Sequence, residues 1–287
     1  MEISAELVRA LRDKTDAGIM DCKKALKETS GDLEEAVAYL RQKGIAVAAK
    51  RAGRAASEGS VWAHLSPDAR VGVLLEVNCE TDFVAKTPAF VELGTRLAEH
   101  VAATDPKDVD TLMSQDCRHQ PGLPVCEYVN EILAKTGENV QVRRFTRYAS
   151  DGLIAAYIHH GGRIGVLLEL TGAPNAPETQ EAAKNLAMQV AASSPQAVSR
   201  DDVDPELVAR ESAILKAQAL ESGKPEKIIE RMVAGRLEKF YQEICLAEQP
   251  FVKNPDLTVA QYLTEVAKQV GAPELTVRRF TRYQVGA

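Results

Sequence analysis

The residues of this chain best suited to act on another molecule are an acid and an aromatic side by side, Asp82 and Phe83 within Thr81-Asp82-Phe83-Val84. A ring offered at a loop tip can fill an apolar pocket in a partner, and a neighbouring carboxylate can perturb a charged site there. The competing reading is local, with Phe83 tucked under the following helix and Asp82 serving as a cap. Bond-making chemistry has less support. The five histidines, at 64, 100, 119, 159 and 160, stand in no Ser-His-Asp or Cys-His order with a recognisable motif around a nucleophile. No phosphate-cradling glycine loop and no glycine-rich dinucleotide turn is present. Cys117, His119 and Cys126 are interrupted by Pro121, Gly122 and Pro124 and have no fourth ligand at usual spacing, so they read as an irregular loop. The expectation is a chain with no catalytic residues, no metal site and no cofactor, which binds rather than reacts.

The case for Asp82 and Phe83 comes from an internal duplication. Glu58-Gly59, Arg70-Val-Gly-Val-Leu-Leu-Glu-Val77 and Val142-Arg-Arg-Phe-Thr-Arg-Tyr148 return as Asp151-Gly152, Arg163-Ile-Gly-Val-Leu-Leu-Glu-Leu170 and Val277-Arg-Arg-Phe-Thr-Arg-Tyr283. The first two segments recur at an offset of 93 and the closing segment at 135, so the second copy carries about 42 extra residues. Where the first copy reads Thr81-Asp82-Phe83-Val84, the second has Thr171-Gly172-Ala173-Pro174, with neither carboxylate nor ring. Matching scaffolds make the mismatch the candidate for function.

The elements that must position this stretch can be read from periodicity. Ile3, Leu7 and Leu11, then Met20 to Leu26, then Leu33, Ala36, Val37 and Leu40 predict three short helices, with Asp32 as N-cap and Gly44 as a stop. The alanine-rich basic run 46–56 reads as a connector. Strands are expected at Ser60 to Leu65, Val71 to Asn78, Leu153 to His159 and Ile164 to Leu170, as two antiparallel hairpins. Thr87-Pro88 predicts the cap and first turn of a helix that turns Phe90, Leu93, Leu97 and Val101 inward. The extra residues fall between Pro205 and Tyr241, as two helices around Ser222-Gly223-Lys224-Pro225, with Ile228, Met232, Leu237 and Phe240 on one apolar side of the second. Such a hairpin is a contact arm, a surface for homodimerisation, or a pair packed back on its own domain. In each closing strand, one aromatic packing on a helix while exposed arginines solvate the strand is a stronger reading than base stacking.

Composition sets the outer limits. The 287 residues, 45% hydrophobic and 26% charged, are those of a globular protein. A formal charge of −6 argues against a polyanionic partner such as nucleic acid. The five cysteines (22, 79, 117, 126 and 245) lack paired spacing, which fits a reducing cytoplasm. The amphipathic start with Glu2, Glu6, Arg9 and Arg12 is no signal peptide, and no run is long enough to span a membrane.

Four segments in order carry a resemblance: Thr15-Asp16-Ala17-Gly18-Ile19-Met20-Asp21-Cys22-Lys23-Lys24-Ala25-Leu26, Val77 to Lys86, His160-Gly161-Gly162-Arg163-Ile164-Gly165 and Gln249-Pro250-Phe251-Val252. Together they resemble the bacterial elongation factor Ts family over nearly the whole chain. The resemblance implies an α+β protein with a ubiquitin-associated-like three-helix module (residues 1–55 with its connector). Two duplicated core subdomains with antiparallel sheets (56–149 and 150–287) follow, and an antiparallel coiled-coil hairpin is inserted at about 201–245. It implies guanine-nucleotide exchange on elongation factor Tu, in its GDP-bound and nucleotide-free forms, with Thr81, Asp82, Phe83 and Val84 entering near the Mg²⁺-nucleotide site. Ile19 and Met20 would grip the same partner domain, and His160, Phe251 and Val252 another region. After Tyr283 the sequence reads only Gln284-Val285-Gly286-Ala287, where some family members continue into a further helical module, so exchange without that module's affinity is expected. An interaction adaptor and an RNA-binding protein are the alternatives from other classes. Neither accounts for an Asp-Phe pair confined to one of two matching loops.

Overall fold

The computed structural model describes residues 3–15, 17–51, 53–172, 174–221 and 225–287, without the side chains of 45–51. Apolar residues three and four apart line one side of each of the first helices, and that spacing lets them close on one another. α1 (Ala5–Thr15), α2 (Ile19–Glu28) and α3 (Leu33–Arg51) enclose Leu11, Cys22, Ala25, Leu26 and Ala36. Asp32 Oδ1 accepts from the backbone N–H groups of Glu34 and Glu35 at 2.8 and 2.9 Å, capping α3 as its sequence predicts.

The first repeat runs β1 (Glu58–Leu65), β2 (Val71–Cys79), α4 (Asp82–Ala85), α5 (Pro88–Thr104), α6 (Val109–Ser114), α7 (Val125–Thr136) and β3 (Gln141–Ala149). The second runs β4 (Leu153–His159), β5 (Ile164–Thr171), α8 (Pro177–Ser193), α9 (Pro205–Leu220), α10 (Glu226–Ile244), β6 (Pro250–Phe251), β7 (Asn254–Thr258), α11 (Val259–Val270) and β8 (Thr276–Gln284). Two three-stranded antiparallel sheets result, ordered β1-β2-β3 and β4-β5-β8, in a mixed α+β chain. Each carries a register shift at the equivalent point, Glu76/Val77 and Glu169/Leu170.

Each sheet buries both faces. The outer face of the first packs Val73, Leu75 and Val77 against Phe90, Leu93 and Leu97 of α5. That of the second packs Val166 and Leu168 against Leu186 and Val190 of α8. The inner faces meet through Val61, Leu74 and Tyr148 of one repeat and Ile154, Leu167 and Tyr283 of the other. Two glycines allow this close approach. A Cβ on Gly72 would lie 2.5 Å from Ile154 and 2.9 Å from Leu167, and one on Gly165 would lie 2.4 Å from Val61 and 2.9 Å from Leu74. Each sheet thus receives the other's equivalent pair of side chains, an interlock with approximate twofold symmetry.

The closing strands complete that interlock, which corrects the expectation that their arginines merely solvate the surface. Thr146 Oγ1 and Tyr283 Oη share a hydrogen bond of 2.6 Å, and Tyr148 Oη and Thr281 Oγ1 one of 2.7 Å. Arg144 pairs with buried Glu76 at 2.7 Å and lies over the Tyr283 ring; Arg279 pairs with buried Glu169 at 2.6 Å and lies over the Tyr148 ring. Phe145 packs on the first core and Phe280 on the second. The rings that would have stacked bases are engaged inside the fold.

One local expectation fails and another shifts at a single residue. α3 does not stop at Gly44 but runs to Arg51, because the alanine- and base-rich residues beyond are strong helix formers. Gly44 instead faces α7, on which α3 rests: an added Cβ would be 3.4 Å from Ala134 Cβ. In α10, Met232, Leu237 and Phe240 are half-buried as the apolar side predicts, whereas Ile228 is exposed and its neighbour Ile229 is buried. α10 packs along α9, whose buried residues are Leu215 and Ala219. The expected turn at Ser222-Gly223-Lys224 lies outside the described residues. Gly235 of α10 has nothing within 4 Å of an added Cβ, so Gly235→Ala is expected to stabilise the chain by about 0.5–1 kcal/mol. A denaturant midpoint unchanged or lowered in that variant would contradict an open, regular helix there.

Candidate functional site

The Asp-Phe turn is a single helical turn held from below. Thr81 has the extended backbone of an N-cap, and its hydroxyl accepts from Val84 N at 3.4 Å. Val84 and Ala85 are buried in the first core, while Phe83 between them and the cap is 80% exposed. The structure therefore excludes the reading in which Phe83 tucks beneath its own helix. α5 already has its inward face in Phe90, Leu93, Leu97 and Val101, all fully buried, with Thr87 Oγ1 capping at Phe90 N and Pro88 in its first turn. Nothing in that core needs the Phe83 ring.

Asp82 points to solvent and pairs with Lys86 Nζ at 2.6 Å, one helical turn on. That hydrogen bond holds its carboxyl below the usual carboxylate range, and the charge of Arg163 adds to the effect. Asp82 is therefore an anion at neutral pH, and the pair is lost only as pH falls through its lowered value.

A residue that sequence reasoning missed holds the turn in place. Glu138, just before β3, accepts from Thr81 N at 2.9 Å through Oε2 and from Thr81 Oγ1 at 2.7 Å through Oε1. The only available signal was a second asymmetry, since the equivalent position of the second repeat is Pro273. Cys79, also missed, donates its thiol to Thr81 O at 3.1 Å. Burial pushes the Cys79 thiol up to about 12, with the Glu138 carboxylate adding to the shift. A thiol that stays neutral in the fold but ionises near 8.5–9 when unfolded contributes stability fully present below that range and lost as pH rises towards 12. Burial raises Tyr148 and Tyr283 in the same direction. Stability is therefore expected to decline above pH 9, and native Cys79 to resist alkylation at pH 8 until the chain unfolds. Rapid native labelling of Cys79, mapped by mass spectrometry, would contradict this.

The remaining sequence candidates fall in different places. His160 is exposed at the β4–β5 turn, where His160, Gly161 and Gly162 all have positive φ (50°, 61° and 100°). Its ring lies edge-on to His159 with centroids 4.4 Å apart, and His159 Nδ1 is 2.9 Å from Tyr157 Oη. Gly162 is close enough to β1 that a Cβ would lie 2.9 Å from Ser60 Cβ, and Arg163 forms an ion pair with Glu58. Because α4 packs on the same strand, the Asp82-Phe83 turn and the His160 turn both border β1. Ile19 and Met20 are 54% and 76% exposed at the start of α2. Val252 is exposed, but Phe251 is not: its ring stacks on Tyr262 at 4.1 Å in the second core. The free chain therefore does not present Phe251 at its surface, because the apolar ring has a partner within its own fold, while Val252 N donates to Gln189 Oε1 at 2.7 Å.

No three His, Cys, Asp or Glu side chains converge as a metal set among the described residues, and Cys117 is buried in the first core. No described helix is long and apolar enough to cross a membrane. What the surface offers is a projecting ring beside an anion, with a rigid base.

Comparison with known proteins gives this geometry a context. The family described as "Elongation factor TS" matches residues 80–287, a span that starts beside the Asp-Phe turn. The proteins named Elongation factor Ts from Clostridium novyi (strain NT) and Clostridium perfringens (strain ATCC 13124) are each 46% identical over 285 residues, 99% of this chain and 93% of theirs. That of Clostridium botulinum (strain ATCC 19397) is likewise 46% identical over 99% of this chain and 92% of its own length. With matches of this extent, the chain belongs to the elongation factor Ts family, the translation elongation factors of protein biosynthesis.

Proposed function

We propose that this chain is a guanine-nucleotide exchange factor for elongation factor Tu, acting in the cytoplasm during translation elongation and making or breaking no bond of its own. In this reading Phe83 and Asp82 enter the partner's GTPase domain beside its Mg²⁺-nucleotide site, with Thr81 and Val84 anchoring the turn. α1 to α3 act as a ubiquitin-associated-like module that grips the same domain through Ile19 and Met20. His160 and Val252, the latter beside buried Phe251, touch a second region. The two repeats act as core subdomains, and α9 with α10 as a coiled-coil arm whose exposed Ile214, Leu220 and Ile228 would serve a contact with the partner or with a second copy. The observation that carries the reading is Phe83, 80% exposed on a capped turn whose neighbours are core, in one repeat and not the other.

The chemistry follows from linkage. Mg²⁺ bridges nucleotide phosphates and protein oxygens, so disturbing the groups that orient its ligands weakens both at once. The factor by which this chain weakens GDP must equal the factor by which GDP weakens this chain, with about 1.4 kcal/mol for each tenfold. Exchange is accelerated without preference for either nucleotide, and its direction comes from nucleotide supply. Calorimetric titration of elongation factor Tu, nucleotide-free and loaded with GDP, tests this. The expected result is binding at least tenfold tighter to the nucleotide-free form, matched by an equal loss of GDP affinity. Equal affinity for both forms would return the adaptor reading to first place.

A further inference from the structure

We infer that Glu138 is the positioning residue of the exchange site and that, with Glu80 and Asn139, it ties the Phe83 turn to the connector of the N-terminal helices. Thr81, the residue before the Asp-Phe pair, is held at all its polar atoms. Its N–H and hydroxyl both go to Glu138, and its carbonyl accepts from Cys79 Sγ and from Ala85 N. The next position on each side forms a reciprocal tie: Asn139 N donates to Glu80 Oε1 at 2.7 Å. Asn139, 3% exposed, also donates from Nδ2 to the carbonyl of Arg54 at 2.8 Å, and the Arg54 guanidinium is 3.5 Å from Glu80 Oε2.

Three segments distant in sequence therefore meet in one knot: the end of the connector from α3, the loop from β2 into α4, and the loop from α7 into β3. A two-point carboxylate clamp on a backbone N–H and its own hydroxyl fixes orientation as well as distance. Glu80, Glu138 and Asn139 are polar and belong to no apolar cluster, so their ties add direction rather than apolar burial. They decide which way the turn faces. A ring that must enter a pocket loses little conformational freedom on binding when its base is already fixed, and a loosened base forfeits that advantage. Because the connector is held by the same Asn139, the direction of the Phe83 turn and the point where the N-terminal helices leave the core are set together.

This inference rests on the exchange reading, and the experiment separates the two. Release of a fluorescent GDP analogue from elongation factor Tu is measured against concentration of this chain for wild type, Glu138→Ala, Glu138→Gln, Phe83→Ala and the Glu138→Ala/Phe83→Ala double variant, with hydrogen exchange of residues 81–85 alongside. The expected result is a maximal release rate about tenfold lower for Glu138→Ala and partly restored in Glu138→Gln, which keeps one acceptor. Amides 81–85 exchange faster, and the double variant is no slower than Phe83→Ala alone. Wild type that accelerates release while Glu138→Ala does so equally well overturns the positioning role and leaves the exchange reading intact. A Glu138→Ala loss that multiplies in full with that of Phe83→Ala also overturns it, since the two residues would then act separately. Wild type that fails to accelerate release overturns the exchange reading and this inference with it.

Discussion

Phe83→Ala is expected to slow the GDP release promoted by this chain by about 30-fold or more while leaving the fold untouched. A buried aromatic anchor at an interface is worth about 2 kcal/mol or more on truncation, and about 1.4 kcal/mol corresponds to tenfold. The ring is 80% exposed in the free chain, so its removal opens no cavity. Exposed substitutions of this kind stay within about 0.5 kcal/mol in stability. The measurement is a release rate at saturating chain together with a thermal melt. An unchanged rate would remove Phe83 from the mechanism, and a large drop in melting temperature would mean that its role is structural.

The opposite pattern is expected at the sheet interlock. Gly165→Val places a branched side chain where even a Cβ would lie 2.4 Å from Val61 Cγ1 and 2.9 Å from Leu74 Cδ1, both buried. Overpacking of this kind costs about 1–3 kcal/mol, or several degrees of melting temperature for a chain of this size. Gly72→Val should behave alike against Ile154 and Leu167, as symmetry requires. The two changes press on one interface, so their costs should not add. Denaturant unfolding of both single variants and the double checks this, and a Gly165→Val midpoint equal to wild type would mean that the sheets separate at no cost.

How much of this was legible in the sequence depends on the range over which each signal acts. The strands, the cap at Thr87-Pro88 and the inward face of α5 follow from spacings within a few residues, and the structure has them where the pattern puts them. The duplication was legible because two copies on one chain can be compared directly. That comparison also isolated the 81–84 stretch, although whether Phe83 was buried could not be read from it. What was not legible depends on partners far away in sequence. The Glu138 clamp on Thr81 spans 57 residues, and the Tyr148–Thr281 and Tyr283–Thr146 bonds span more than 130. An alternating strand pattern says that Arg144 and Tyr148 share a face. It does not say that a second sheet will cover that face and convert an arginine read as solvating into the partner of a buried Glu76. Gly44 was misread because a glycine reads locally as a stop until α7 supplies a neighbour, and Phe251, a contact expected only from the resemblance, is covered by Tyr262 from 11 residues further along the chain.

If this chain releases GDP as proposed, by disturbing the Mg²⁺-nucleotide site of elongation factor Tu, its effect must depend on the ion. The most direct test is the release rate of a fluorescent GDP analogue, with and without this chain, in millimolar Mg²⁺ and again after chelation. If the chain acts through Mg²⁺, its acceleration is large in Mg²⁺ and falls several-fold once the ion is gone, because chelation has already done part of its work. The same fold-acceleration with and without Mg²⁺, or no acceleration in either, would contradict the account.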